Sequence, residues 1–329
     1  MLDAATVTGE NRPEANNAPQ ATAPAPARAG LGPNARREER AAYLFLIPWI
    51  VGIVAFTLIP LLWAVWISLT DEQLFLPGTF VGLQNYVQIV TADEFFRKSL
   101  LVTLRWVILT TPLYIVAGLL LSLLLNQKLR GMRVFRTVLY IPAVLSGVAV
   151  GIVWLNLFNP DLGAINFFLY ELGVENPPYW FQDPNWAMPA LAIVGLWGVG
   201  GGAVIYLAGL QNIPPHLYEA ASIDGASAIR KFFDITLPML SPTIFFVLIT
   251  SVIEAFQVFG VVFVLVDNAA AGGPDNALLF YMLYMWRQGF REGNLAYAAA
   301  LAWILTVIGL GTVWLMFRLE KRFVYYESQ

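Results

Sequence analysis

The chain has 329 residues, of which 58% are hydrophobic and 12% are charged, and its formal net charge is -3. An ordinary soluble domain carries about 25% charged residues, so this composition excludes a soluble globular protein and indicates one that lies in a membrane. The sequence has no cysteine and a single histidine, His216, which excludes a disulfide framework and a thiolate metal site.

The first 38 residues are rich in Ala, Pro, Asn and Thr, a composition that cannot bury enough apolar surface to fold. We expect residues 1–38 to form a disordered cytoplasmic tail. A cleaved signal peptide is not expected, because the apolar run after Arg40 is longer than the ~7–15 residues of a signal core. Residues 39–322 are predicted to form the transmembrane domain and residues 323–329 a short cytoplasmic tail.

Six apolar segments follow the tail, and each is long enough to cross a hydrocarbon layer, which takes about 20 residues. Because backbone groups inside a bilayer must be paired within the segment, each segment is predicted to be helical. The predicted fold is therefore an all-α membrane protein with six transmembrane helices, kinked at Pro48, Pro60, Pro112 and Pro142. The segments are roughly 42–69, 100–125, 134–158, 187–210, 240–266 and 296–317.

Lys and Arg are distributed unevenly between alternate connections of these segments. One set of connections holds twelve of them and the other set holds four, and positive charge is enriched on the cytoplasmic side of membrane proteins. This distribution of Lys and Arg therefore predicts that both termini and the 211–238 connection are cytoplasmic. The twelve are Arg36, Arg37, Arg40, Lys128, Arg130, Arg133, Arg136, Arg230, Lys231, Arg318, Lys321 and Arg322; the four are Arg97, Lys98, Arg287 and Arg291.

The 211–238 connection is predicted to contain two short helices separated at Gly225. Asn212 is expected to cap the first helix, the prolines at 214 and 215 suit its first turn, and Gly225 ends it. One side of this helix is mostly small and apolar, as expected of a helix that presses into a groove on another protein. That side carries Leu217, Ala220, Ala221 and Asp224.

The same connection carries Glu-Ala-Ala at 219–221, Gly225 after three residues, and Ile-x-Leu-Pro at 235–238 after nine more. This pattern resembles the EAA signature of permease subunits of binding-protein-dependent ABC importers, and the Ile-Asp-Gly-Ala at 223–226 is most similar to the maltose and glycerol-3-phosphate branch of that family. The alternative is a helix that lies on the bilayer surface.

The resemblance implies a type I ABC importer permease core in a prokaryotic cell membrane. It implies that the 211–238 connection holds a coupling helix docking on a cytoplasmic ABC ATPase dimer, with a second homologous permease and an external solute-binding protein as further partners. It implies no cofactor on this chain, with ATP and Mg on partner subunits, and no nucleic acid partner. The implied coupling residues are Glu219, Ala220, Ala221, Asp224, Gly225, Ile235, Leu237 and Pro238.

Two polar side chains lie in the fifth apolar segment. Glu254 is near its middle, and Gln257, three residues on, is expected on the same helical face. A carboxylate at that depth costs roughly 2.5–3.5 kcal/mol, so it needs a polar partner or a hydrated cavity. Glu254 and Gln257 either line the solute path or hold helices together, and Arg105 is a candidate partner.

The fourth apolar segment contains Trp197 followed by a glycine-rich run at 198–202. These glycines either let helices pack closely or open the backbone beside a cavity, and Trp197 would suit stacking against a sugar ring. Gly200, Tyr206 and Asn156 are further candidates for the solute path. In the outer connections, Ala277–Phe290 is predicted to be a helix in the membrane interface.

No phosphate-binding Gly-x4-Gly-Lys-Ser/Thr loop occurs in the sequence, and one histidine without cysteine cannot build the usual catalytic constellations. We therefore predict a transport subunit rather than an enzyme, driven by a partner ATPase. The alternative is a secondary transporter driven by an ion gradient, with Glu254 as the coupling residue. A membrane scaffold that does not transport is the third possibility.

Overall fold

The structure is a computed structural model that describes residues 33–127, 129–266 and 272–324. The regular secondary structure of the described residues is helical, with isolated bridges in place of strands. The contacts divide the chain into two units, one ending at Pro60 and the other starting at Leu61. The first helices are α1 Pro33–Ile53, α2 Ile59–Ser68, α3 Gln84–Ala92, α4 Glu94–Leu125, α5 Met132–Val144, α6 Gly147–Leu157, α7 Ala164–Glu171 and α8 Pro184–Trp197.

The second half of the chain contains shorter helices joined by irregular turns. Its helices are α9 Gly200–Gln211, α10 Pro215–Ile223, α11 Ala228–Lys231, α12 Leu237–Phe256, α13 Gly260–Leu265, α14 Tyr281–Trp286 and α15 Leu295–Phe323. Wider π-helical turns occur at Val54–Leu58, Phe232–Thr236 and Arg287–Arg291, and 3-10 turns at Trp180–Gln182 and Pro274–Asn276.

Four helical stretches of the described chain are long and apolar enough to cross a membrane, or up to six if each of two bent pairs counts as one span. Of the predicted segments, the third corresponds to α5 and α6, which meet at 100°, and the fourth to α8 and α9, which meet at 48°. The α5–α6 break follows Pro142, as predicted, whereas α4 continues through Pro112. The four stretches are Ala41–Ser68, Glu94–Leu125, Ala228–Leu265 and Leu295–Lys321.

The ends of the predicted domains fall partly outside the described residues. Helix α1 begins at Pro33, inside the segment 1–38 that composition assigns to a tail, and residues 1–32 are not described. At the other end, α15 ends at Phe323, and residues 325–329 are not described.

The long helix α4 packs against α8, α9, α12 and α14, and its buried face forms the centre of the second unit. Small residues allow these helices to approach closely, as is usual in membrane bundles. A Cβ added at Gly118 of α4 would lie 3.3 Å from the ring of Tyr206 in α9, and one added at Gly209 would lie 2.7 Å from Leu240 in α12. Larger residues at these glycines would therefore push the helices apart.

The segment before α15 differs from the predicted interfacial helix Ala277–Phe290. Helix α14 begins at Tyr281, because the chain first turns back so that the Leu278 N–H donates to the Gly272 carbonyl at 2.9 Å. The segment is buried rather than interfacial, since the Tyr281 N–H donates to Thr103 of α4 at 2.9 Å and its hydroxyl donates to the Leu301 carbonyl of α15 at 2.8 Å. Its large apolar side chains, among them Leu278, Phe280 and Leu283, are therefore part of the core.

Asp93 ties three helices together at the start of α4. Its Oδ1 accepts from the Phe96 N–H at 2.8 Å and caps α4, while its Oδ2 accepts from the hydroxyls of Tyr284 in α14 and Tyr297 in α15, both at 2.5 Å. Burial and the hydrogen bond to Asp93 raise the pKa of the Tyr284 hydroxyl above its ordinary value. This hydroxyl therefore stays protonated and keeps donating at physiological pH.

We expect Asp93→Ala to lower the free energy of unfolding by about 3 kcal/mol, because it removes the helix cap and leaves two phenol hydroxyls without their acceptor. The measurement is the thermal unfolding transition of the purified protein in detergent. Glu171→Ala removes an exposed carboxylate at the end of α7 and is the matched control. Equal transition temperatures for the two variants would contradict the role assigned to Asp93.

Candidate functional site

Helix α10 carries the Glu-Ala-Ala residues and has well-defined ends. Its N-cap residue is Pro214, not Asn212 as predicted, because Asn212 already closes the C-terminus of α9. At its other end the N–H of Ala226 donates to the Ala221 carbonyl at 2.9 Å and the N–H of Gly225 donates to the Ser222 carbonyl at 3.1 Å. This is a Schellman ending, and it requires the left-handed φ of +75° that Gly225 adopts.

The two faces of α10 differ in burial. Leu217, Tyr218 and Ala221 are half-buried, whereas Glu219, Ala220 and Asp224 are exposed. The predicted face is therefore not uniform: Leu217 and Ala221 are half-buried, and Ala220 and Asp224 are exposed. Two large apolar side chains flank the turn at Gly225 and are left uncovered, Ile223 with 87% of its surface exposed and Ile229 with 73%. Exposed apolar side chains grouped in this way are typical of an interaction surface.

Helix α10 is fastened to the segment that leads into α12. The hydroxyls of Tyr218 and Thr236 lie 2.9 Å apart, and the Lys231 ammonium donates to the Ser222 hydroxyl at 2.6 Å. We call these two contacts the α10 clamp. Sequence reasoning did not find it, because a Tyr–Thr pair 18 residues apart has no periodic signal.

The second half of the motif lies at the start of α12. Ile235 and Thr236 belong to the π-helical turn, Leu237 is the first residue of α12, and Pro238 is in its first turn, where no backbone donor is lost. Ile235 and Leu217 pack on the cluster formed by Tyr206 and its buried neighbours. The motif residues on both sides of the turn at Gly225 are therefore joined to the same core.

A second candidate site is a cavity of about 250 Å³ between α4, α6, α8 and the α12–α13 region. Glu254 contributes its polar wall, and Trp106, Tyr114 and Trp197 contribute aromatic walls. The lining residues are Trp106, Thr110, Thr111, Tyr114, Pro142, Gly147, Val150, Leu191, Val194, Gly195, Trp197, Gly198, Ser251, Glu254, Ala255, Val258 and Val261.

Glu254 occupies an unusual position in the fifth span. Helix α12 ends at Phe256, and the chain resumes as α13 only at Gly260, so Glu254 lies in the last turn before a break rather than in mid-helix. Its side chain is exposed in this chain and has no ion pair or hydrogen bond with the described residues. The predicted pairing with Arg105 is not formed, because Arg105 lines a different groove.

Four other residues predicted to line the solute path do not line this cavity. Gln257 is exposed at the helix break, and the Asn156 amide donates to the Ile152 carbonyl of its own helix at 2.8 Å. Gly200 lies against the Leu139 carbonyl, so close packing is its role here. Tyr206 is fully buried, and its hydroxyl has no hydrogen-bond partner in the described structure.

Comparison with known proteins places the chain among transport proteins. Residues 89–325 match the family described as binding-protein-dependent transport system inner membrane component. The probable ABC transporter permease protein YesP of Bacillus subtilis is 37% identical over 296 residues, covering 89% of this chain and 94% of YesP. The sn-glycerol-3-phosphate transport system permease protein UgpA of Yersinia pestis is 33% identical, covering 87% of this chain and 95% of UgpA.

A further relative agrees with this assignment, and a solved structure shares the fold. The trehalose/maltose transport system permease protein MalF of Thermococcus litoralis is 36% identical over 243 residues, covering 73% of this chain and 80% of MalF. A chain in the crystal structure of a bacterial alginate ABC transporter, in complex with an alginate pentasaccharide-bound periplasmic protein, has the same fold. The TM-score is 0.78 at 22% identity, with 88% of this chain and 96% of that chain covered. The resemblance carried by the EAA residues is confirmed, and the protein belongs to the family of inner membrane components of binding-protein-dependent transport systems.

Proposed function

We propose that this chain is a permease subunit of an ATP-driven, binding-protein-dependent ABC importer for sugars, oligosaccharides or polyol-type solutes. The observation that carries the proposal is the family match over residues 89–325. The solute class is supported by the relatives, whose names refer to sn-glycerol-3-phosphate and to trehalose and maltose.

In the proposed topology the chain crosses the membrane six times, with each bent helix pair counted as one span and both termini in the cytoplasm. The excess of Lys and Arg on one set of connections supports this orientation. It puts α10 on the side where ATP is available. Labelling of single cysteines, introduced at Ser227 and at Asn185 into this cysteine-free chain, tests the orientation. A membrane-impermeant maleimide should reach position 185 in intact cells and position 227 only after lysis.

In the proposed mechanism α10 is a coupling helix that docks on a cytoplasmic ABC ATPase dimer, which holds ATP and Mg. The exposed Glu219, Ala220, Ile223 and Asp224 offer the contact surface. Because the α10 clamp fixes the helix to the start of α12, nucleotide-driven movement of the ATPase subunits is passed to the membrane helices as a rigid displacement.

The solute is proposed to pass the cavity at Glu254 and Trp197 after delivery by an external solute-binding protein. A carboxylate accepts hydrogen bonds from hydroxyl groups, and the aromatic walls offer apolar faces to a sugar ring. The volume of about 250 Å³ is below the ~300–1,000 Å³ of common ligand sites. We therefore expect a second, homologous permease subunit to complete the site on the exposed side of Glu254.

The test is uptake of labelled sugars and polyols by vesicles containing the reconstituted transporter, with and without internal ATP. ATP-dependent uptake that persists with a protonophore supports the proposal. Uptake that needs no ATP and is abolished by the protonophore would replace it with a gradient-driven carrier in which Glu254 is the coupling residue. Binding of solute without uptake under either condition would leave the chain as a scaffold.

Removing the hydroxyl pair of the clamp is expected to uncouple the transporter. Tyr218→Phe or Thr236→Val should lower solute transported per ATP hydrolysed by about three- to tenfold, since each variant removes the Tyr218–Thr236 hydrogen bond. Thr236→Val also removes the bond that the Thr236 hydroxyl donates to the Lys231 carbonyl at 3.3 Å. The double variant should be no worse than Thr236→Val alone, because Tyr218→Phe removes a bond that Thr236→Val has already removed. Thr306→Val removes a helix-local hydroxyl of α15 and is the control. A fall in protein yield with an unchanged transport-to-ATP ratio would make the pair merely structural.

A further inference from the structure

A groove of about 530 Å³ runs between α4 and α8 and contains two cationic side chains. Lys98 and Arg105 are both on α4, seven residues apart and therefore on one face, with about 10 Å of helix rise between them. The floor of the groove is mostly apolar. It is lined by Lys98, Leu101, Val102, Arg105, Leu109, Thr110, Pro184, Asn185, Met188, Pro189, Ala192, Asp275 and Ala277.

The two cations have no partner in the described structure. Neither Lys98 nor Arg105 forms an ion pair, a hydrogen bond or a ring contact with a described residue, although Asp275 lines the same groove. Arg97, by contrast, donates to the carbonyls of Val90 and Thr91 at the end of α3. The groove therefore presents unneutralised positive charge.

The position of Arg105 along α4 coincides with the edge of the hydrocarbon layer. Residues 106–125 contain no Asp, Glu, Lys or Arg. These 20 residues span about 30 Å, the thickness of a typical hydrocarbon core. Arg105 therefore lies where the lipid glycerol and phosphate groups begin, and Lys98 lies farther out among the headgroups.

The groove opens on an apolar stripe of α4. Leu101 is 53% exposed, Ile108 69% and Leu109 61%, and exposed apolar residues continue along the helix to Leu124. A free solute anion would gain no binding free energy from this apolar stripe, whereas a lipid acyl chain would remove its surface from water. We propose that this groove binds an anionic phospholipid, with the headgroup phosphate between Lys98 and Arg105 and one acyl chain running inward from Leu109 along the exposed apolar residues of α4.

The chemistry of the pair fits a phosphate diester. The Arg105 guanidinium can donate two parallel hydrogen bonds to phosphate oxygens, and the flexible Lys98 ammonium can reach down to the same group. A zwitterionic lipid brings its own cation to the phosphate and gains less. The site is therefore selective for phosphatidylglycerol over phosphatidylcholine.

Native mass spectrometry of the purified full-length protein, with the transporter subunits that accompany it, tests the site. Phosphatidylglycerol and phosphatidylcholine with identical acyl chains are titrated in turn. The double variant Lys98→Gln/Arg105→Gln should weaken phosphatidylglycerol binding by about 30-fold and leave phosphatidylcholine binding unchanged, with smaller losses in the single variants. Arg97→Gln removes the neighbouring charge outside the groove and should change either affinity by less than about twofold.

Three results would overturn the proposal. One is an unchanged affinity for phosphatidylglycerol in a double variant that elutes and melts like the wild type. Another is an equal loss in Arg97→Gln, which would reduce the effect to general surface charge. The third is release of the lipid by millimolar inorganic phosphate or glycerol phosphate, which would assign the groove to a soluble anion.

Discussion

Replacing Gly225 with proline is expected to reduce ATP-driven solute uptake by more than about tenfold while the protein still inserts into the membrane. Gly225 has a φ of +75°, whereas proline is fixed near -65°, and proline also lacks the N–H that donates to the Ser222 carbonyl. The end of α10 must therefore unwind, which displaces Ile223 and Asp224 from the exposed surface. Uptake into vesicles and co-purification of the ATPase subunits measure the effect.

Two further variants separate the shape of α10 from its surface. Gly225→Asn should keep most of the activity, because asparagine tolerates a left-handed φ and an added Cβ meets no atom within 4 Å. Glu219→Lys should keep the helix but weaken association with the ATPase subunits, because it reverses an exposed charge. A Gly225→Pro complex with wild-type yield and activity would remove α10 from the coupling mechanism.

Glu254→Ala is expected to weaken the apparent affinity for solute by about 10- to 100-fold and to leave the amount of folded complex unchanged. A hydrogen bond to a charged group contributes about 1.5–3 kcal/mol, and the Glu254 side chain has no structural partner in the described chain whose loss would unfold it. Solute-stimulated ATPase activity as a function of solute concentration gives the measurement.

The controls for this variant use the geometry of the helix break. Glu254→Gln retains an acceptor and should lose less affinity than Glu254→Ala, and Gln257→Ala, three residues on but outside the cavity lining, should have little effect. If Glu254→Ala lowers only the yield of complex, Glu254 serves packing against a neighbouring subunit instead of solute passage.

Hydrophobic length and one local motif account for what could be predicted from the sequence. The helices α4 and α15 follow from uninterrupted apolar runs that must be helical in a bilayer. The helix–turn–helix around Gly225 follows from turn chemistry, because glycine is the residue that ends a helix with positive φ.

The parts that could not be predicted depend on contacts between distant residues. Helical periodicity placed Glu254 and Gln257 on one continuous face, but the chain leaves the helix at Gln257 with φ -103°. Helical periodicity also could not distinguish the buried segment at Leu278 from an interfacial helix. Both are apolar, and only the packing against α4 and α15 distinguishes them. The Tyr218–Thr236 pair is invisible to any local pattern for the same reason.

The π-helical turn Phe232–Thr236 gives the nine-residue interval between Gly225 and Ile235 a mechanical meaning. A π-bulge behaves as one extra residue in an α-helix, and one residue corresponds to about 100° of rotation. Deleting a single residue there would rotate α10 about the axis of α12 without altering the sequence of α10. A chimaera that takes this connection from a relative must therefore be joined after Thr236. The π-helical turn and α10 then come from the same protein, and the orientation of α10 is preserved.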